Sequence, residues 1–194
     1  MKQLTGGGRA GGRKGPAGIL AALLVLVLAL VSCGGGGSAK PVPDTGQPPA
    51  GVGPKEAPAK ITLYFGDQEA RWLVPEEREV PVEGRPPGEI VLTELIKGPA
   101  GKGLVRTIPE GTRLLSLSVA GGVARVNFSR EFQTRHWGGT SGETFTVYSV
   151  VNSLAVLEGI NKVQFLVEGN ELESLAGHID LSGPVSPDRS LIKP

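Results

Sequence analysis

The sequence predicts an α+β fold, a two-layer sandwich with a mostly antiparallel sheet and two helices on one face. Three observations carry this. Alternating apolar runs flank Gly121-Gly122, and two segments repeat apolar residues at helical spacing. Strand-like and helix-like segments also follow in the order β β α β β α β from residue 60 onward. The chain has 194 residues, room for one ordinary domain. Of its 30 glycines 14 precede residue 60, as do seven of its 16 prolines, so the first third is not core. The rest, about 135 residues, can bury roughly two-thirds of its unfolded surface.

Ile61-Thr-Leu63-Tyr-Phe65 alternates with period two and reads as a strand ended by Gly66-Asp67. Arg71 to Val74 returns antiparallel and stops at Pro75. Glu76 to Arg85 reads as a charged loop with an extended piece at Arg78–Val82. Pro86-Pro87-Gly-Glu89 opens a helix with Val91, Leu92, Leu95 and Ile96 on one stripe, and Gly98-Pro99 ends it. Residues 104–111 read as irregular, with a turn at Pro109-Glu110.

Next comes the strongest local signal. Two alternating runs, Leu114–Ala120 and Val123–Phe128, enclose Gly121-Gly122 as a tight hairpin. Pairing Ala120 with Val123 sets Val119 against Ala124, Leu117 against Val126 and Leu115 against Phe128. Ser118 then faces Arg125 and Ser116 faces Asn127. Apolar and polar pairs sort onto opposite faces, which a one-residue slip would destroy. Thr140-Ser-Gly-Glu143 reads as a capping box before a helix carrying Val147, Val150, Val151, Leu154 and Leu157, ended by Gly159. Val163–Val167 is a further strand. A short helical turn at Leu172–Ala176 and a Pro- and Ser-containing tail at 184–194 complete the chain.

The charge balance is uneven. Residues 1–32 hold Lys2, Arg9, Arg13 and Lys14 and no acid, leaving 16 basic against 19 acidic residues beyond. That weakly acidic body argues against nucleic acid as a partner. One cysteine permits no intramolecular disulfide, and two histidines give little basis for a metal centre. No cofactor is expected.

Ile19 to Val31 is an apolar run of 13 residues behind the basic leader. It falls short of the ~20 that cross a bilayer as a helix and suits a signal segment. Leu30-Val31-Ser32-Cys33-Gly34 resembles the bacterial lipobox. The resemblance implies cleavage before Cys33 and a diacylglycerol on its thiol. Residues 1–32 are then a lipoprotein signal peptide, and the membrane is a partner through Cys33. Several acyl chains at ~0.8 kcal/mol per buried CH₂ make a durable tether. Of residues 34–59, 13 are Gly or Pro, so 33–59 reads as the lipidated cysteine and a disordered linker. Such a linker spans roughly 30 Å.

Catalytic patterns are weak. Ser141 or Ser182, His136 or His178, and Asp180 could be written as a triad, but no Gly-x-Ser-x-Gly elbow accompanies them. Glu76, Glu77, Glu79 and Glu83 lack calcium-loop spacing and read as a solvated loop. Gly98, Gly101 and Gly103 form no phosphate loop. Glu131 and Glu143 are the candidates for a paired-carboxylate hydrolase. Phe65, Trp72, Phe128, Phe132 and Phe165 are expected in the core. Arg135-His136-Trp137-Gly138-Gly139 is the most unusual cluster. It reads either as a loop that grips a sugar or a partner side chain, or as a flexible lead-in to the second helix.

Several segments together are similar to the GerMN (sporulation and spore germination) domain family. They are Leu95–Pro99, Gly103-Leu104, Thr107–Thr112, Leu114-Leu115, Val123–Ser129, Glu131-Phe132, Gly142-Glu143, Val151–Leu154, Val163–Gly169 and Gly177–Leu181. The resemblance covers residues 60–183, with 184–194 as a tail. It implies a lipoprotein at the extracytoplasmic face of a bacterial membrane and an α/β module for binding or assembly, not an enzyme. It brings no catalytic residues. A sporulation role does not follow, because such domains also occur in bacteria that make no spores. Envelope proteins are the expected partners. Peptidoglycan or a small ligand on the Arg135–Gly139 loop is the alternative, and a wall hydrolase comes third.

Overall fold

The computed structural model of the protein describes residues 57–194. The expected signal peptide, Cys33 and the linker up to residue 56 lie outside the described residues. The α+β class holds, with mostly antiparallel strands divided between two sheets and two long helices packed on them.

The first sheet has the order β2-β1-β3. In β1 (Ala59–Asp67), Ile61, Leu63 and Phe65 point into the core, as period two requires. The Asp67 carboxylate accepts from the backbone N–H of Arg71 at 2.7 Å and of Trp72 at 3.1 Å, which shapes the turn into β2 (Leu73–Val80). Strand β2 runs through Pro75 and the acidic run without a break, pairing Gly66↔Leu73 through Ala59↔Val80. This corrects the loop expected at Glu76–Arg85 in its first half: the extended piece expected at Arg78–Val82 begins earlier, as part of β2, and the chain leaves the strand after Val80. Pro75 faces Tyr64, whose N–H points away from β2 and donates to Ser153 Oγ at 3.0 Å. The pair is therefore a non-hydrogen-bonded one on an edge strand, where a missing N–H costs nothing. Only alternate residues face inward, so charge at 77 and 79 reaches water while Val80 is buried.

Helix α1 (Pro87–Lys97) buries Ile90, Val91, Leu92 and Leu95. Two arginines bind its C-terminal carbonyls. Arg78 donates to the Glu94 and Gly98 oxygens, and Arg106 to those of Ile96 (2.6 Å) and Lys97 (2.7 Å). Cations there complement the negative end of the helix dipole. Arg78 also bridges the Glu76 and Glu94 carboxylates and lies over the Phe65 ring. β3 (Leu104–Val105) adds two residues to the free part of β1.

The second sheet has the order β4-β5-β6-β7. Hairpin β4 (Leu114–Ala120) and β5 (Val123–Phe128) pairs as expected from Ala120↔Val123 to Ser116↔Asn127. A bulge then sets Leu114, not Leu115, against Phe128, so the expected last pair is wrong by one residue. Ala124, Val126 and Phe128 are fully buried.

After the single turn α2 (Glu131–Thr134), helix α3 (Thr140–Leu154) crosses to β6 (Lys162–Val167), which lies parallel to β5. Helix α3 ends at Leu154 rather than Gly159; Leu157 still packs against the core from the following turns. β6 is buried on both faces. Val185 and β7 (Asn170–Glu171) take its far edge, and Gln164 Nε2 donates to the Leu181 carbonyl at 3.1 Å. Phe132 stacks between Phe128 and Phe165 at ring distances of 4.3 and 6.1 Å. The tail is docked. Asn152 exchanges two hydrogen bonds with the backbone of Asp188, and Lys193 N–H donates to the Leu73 carbonyl.

Candidate functional site

The corner where α2 gives way to α3 carries the exposed aromatic of the fold. Gly138 and Gly139 both have φ near +80°, and this left-handed pair swings the chain from Trp137 into Thr140. Gly139, not Thr140, precedes the first helical residue, and no side chain caps the helix. The expected capping box is therefore absent, because Glu143 is occupied elsewhere.

His136 and Trp137 stack at 5.1 Å with ring planes 19° apart, and Trp137 is 53% exposed. The pattern around His136 fixes its tautomer. Thr146 Oγ1 donates to the Thr107 carbonyl at 2.6 Å, so His136 Nε2 must donate to Thr146 Oγ1 at 3.1 Å. Nδ1 is then the acceptor for the Gly138 N–H at 3.0 Å. Both ring nitrogens are satisfied only in the neutral imidazole. Burial lowers the His136 pKa, outweighing the upward pull of the Gly142 backbone and Glu143. Arg135 leaves this pair: its guanidinium turns to the Glu110 carbonyl at 3.4 Å and lies over Gly111. The cluster thus divides into a stacked aromatic pair and an exposed arginine turned toward Glu110.

Beside the indole is a cavity of about 330 Å³ walled by Val105, Phe145, Ala70 and Gly142, with Ser141 and Thr107. Arg106 also reaches this wall, with its guanidinium bound to the end of α1. Gly142 gives the indole its room. A Cβ at that position would come within 2.6 Å of Trp137 Nε1.

One turn into α3 lies a feature that sequence reasoning missed. Glu143 is fully buried, and residues 174–178 wrap around its carboxylate. Oε1 accepts from the N–H groups of Leu175 and Ala176 (2.9 and 3.0 Å) and from Ser174 Oγ (2.9 Å). Oε2 accepts from the His178 N–H at 2.8 Å and from its Nδ1 at 3.0 Å. Burial alone would raise the pKa. The hydrogen bonds from Ala176, His178, Ser174 and Leu175 reverse that and bring it down to about 2. The expected helical turn at Leu172–Ala176 is instead this loop, whose N–H groups converge on the carboxylate. The one local signal is the short Ser174-Leu-Ala-Gly177 segment running into His178.

Asp180 accepts from Ser182 N–H and Oγ at 3.0 and 2.6 Å, forming a local turn without a histidine. His136 and His178 are bound elsewhere, and Ser141 lies on the cavity wall. Glu143 stays ionised and fully hydrogen-bonded, the opposite of a general acid. The Ser129 hydroxyl lowers the Glu131 pKa. No group of three or more His, Cys, Asp or Glu among the described residues could hold a metal ion. Among them, no helix is long and apolar enough to cross a membrane.

The comparisons agree on the fold. The chain resembles the tandem GerMN domains of the sporulation protein GerM from Bacillus subtilis, at 21% identity and a TM-score of 0.59. That match covers 74% of this chain and 51% of the other, so the chain spans about half the length of the tandem protein. It resembles the first GerMN domain of GerM alone at 23% identity and a TM-score of 0.57, covering 68% of this chain and 98% of that one. No curated protein matches. The profile described as "Germane: Sporulation and spore germination" matches residues 62–173. The chain therefore belongs to the Germane family of sporulation and spore germination domains.

Proposed function

We propose that this chain is a lipid-anchored, extracytoplasmic binding module that holds an envelope protein at the Trp137 corner. One observation carries the reading. A half-exposed indole is seated on a neutral, fully hydrogen-bonded histidine beside an apolar cavity. Such a seat presents a large apolar surface at low conformational cost, as anchor residues of interfaces do. The surrounding titratable groups are committed to internal bonds, which favours holding a partner over converting a substrate.

In-cell crosslinking of the full-length chain followed by mass spectrometry tests this. The parent should capture a specific envelope protein and Trp137→Ala should lose it; an unchanged capture pattern overturns the reading. The tether is tested separately. Cys33→Ala should leave the precursor uncleaved at that bond and without its lipid.

A second reading has its own support, because the flat His136–Trp137 stack with Ser141 nearby also suits the face of a sugar ring. It predicts that peptidoglycan fragments bind the parent and not Trp137→Ala.

A further inference from the structure

Two strands end the sheets with edges long enough to pair, β2 and β4; the other ends, β3 and β7, have two residues each. Strand β2 is closed to newcomers. Lys193 N–H already occupies the Leu73 carbonyl at 2.9 Å, Pro75 has no N–H, and Glu77 and Glu79 carry charge into water. Strand β4 has no such protection beyond its initial bulge. Its sequence, Leu-Leu-Ser-Leu-Ser-Val-Ala, contains neither charge nor proline.

The hairpin geometry says which backbone groups are open. Gly121 and Gly122 have φ of 57° and 80°, a two-residue turn with both residues left-handed. In such a turn the flanking pair, Ala120 and Val123, is hydrogen-bonded. Ser118 and Ser116 therefore face β5, and the N–H and C=O groups of Leu117 and Val119 face outward. Among the described residues no backbone group pairs with them there. The Val119 side chain is also 50% exposed although its neighbour across the hairpin, Ala124, is fully buried. An apolar row thus ends abruptly at an open edge.

We propose that β4 pairs antiparallel with β4 of a second copy of this chain, in a register centred on Ser118. The regular edge runs from Ser116, after the bulge, to Ala120, before the turn. Its midpoint is Ser118, so this register gives the longest overlap. Leu117 then exchanges backbone hydrogen bonds with the partner's Val119, and the exposed Val119 side chain lies beside the partner's Leu117. Ser116, Ser118 and Ala120 meet small neighbours on the other face. A charged strand would repel itself or select an opposite charge, whereas an uncharged one that offers small and branched residues on separate faces matches itself. The pairing joins the two four-stranded sheets into one. It rests on β4 alone and is independent of the Trp137 corner.

Ser118 would meet itself as a non-hydrogen-bonded pair, the arrangement that brings Cβ atoms to ~4.5–5.5 Å. The test uses the full-length chain in detergent micelles with Cys33→Ser, so that an introduced thiol is alone. Under mild oxidation Ser118→Cys should give a covalent dimer, and Glu77→Cys on the closed edge should not. Adding Val119→Lys to Ser118→Cys should abolish the dimer while leaving the circular dichroism spectrum unchanged. The proposal fails if Ser118→Cys crosslinks no better than Glu77→Cys. It also fails if the crosslink survives Val119→Lys, or if the open edge takes only a foreign extended segment and the chain remains monomeric.

Discussion

Two of the places where this fold buries carboxylates do it differently. At the end of α1, Glu76, Arg78 and Glu94 form a chain of ion pairs with side chains 9–13% exposed. Each acid there has more than one partner. Glu94 also pairs with Lys97, and Glu76 also accepts from the N–H groups of Ala100 and Gly101. Burial pushes Glu94 up, and Lys97 and Arg78 hold it below the ordinary carboxylate range. At the start of α3, Glu143 is alone. Its donors are mostly backbone N–H groups, and all of them come from residues 174–178. The first centre is redundant and joins elements that already pack together. The second gathers a loop with no regular structure of its own around one carboxylate.

That contrast sets the size of the expected effects. Glu143→Ala should be the most damaging, because it strands several inward-facing donors at once. A loss on the order of 4 kcal/mol in urea unfolding is expected, with early proteolytic cleavage within 174–178. A loss below 1 kcal/mol would mean that the loop is held by its apolar residues, Leu172, Leu175 and Leu181.

Acid should expose the same centre. The folded pKa of Glu143 is about 2 against an ordinary 4.5, so its contribution is full above pH 4.5 and disappears as pH falls through that value toward 2. The shift corresponds to roughly 3 kcal/mol. The stability gap between parent and Glu143→Ala should therefore narrow over that window, read by urea unfolding at successive pH values. His136 acts earlier and with the same sign. Its pKa is depressed, so below the ordinary 6.5 the unfolded chain takes a proton that the folded chain refuses.

Arg78→Met should cost less than Glu143→Ala, about 2 kcal/mol in the same unfolding assay, because both acids keep other partners. Equal losses at the two centres would end the distinction between them.

Much of the fold was legible because its signals are local. The hairpin register followed from alternation and a Gly-Gly turn. It failed only at Leu114-Leu115, where two adjacent leucines make the pattern degenerate and a bulge decides. In β2, Pro75 and the acidic residues look like a loop until one knows that the strand lies at an edge, which is a property of the sheet. The Thr-x-x-Glu spacing that suggests a cap is local, whereas the real partners of Glu143 lie more than 30 residues away. Nothing in the spacing of Arg135, His136 and Trp137 separates the arginine from the other two. That separation depends on where the Glu110–Gly111 turn lies.

The seat of Trp137 depends on an atom that is missing, the Cβ of Gly142. A relative bearing even alanine there would keep every strand and helix yet tip its indole off the imidazole and reshape the hollow beside it. A single helical position thus governs the shape of this corner while leaving the scaffold untouched.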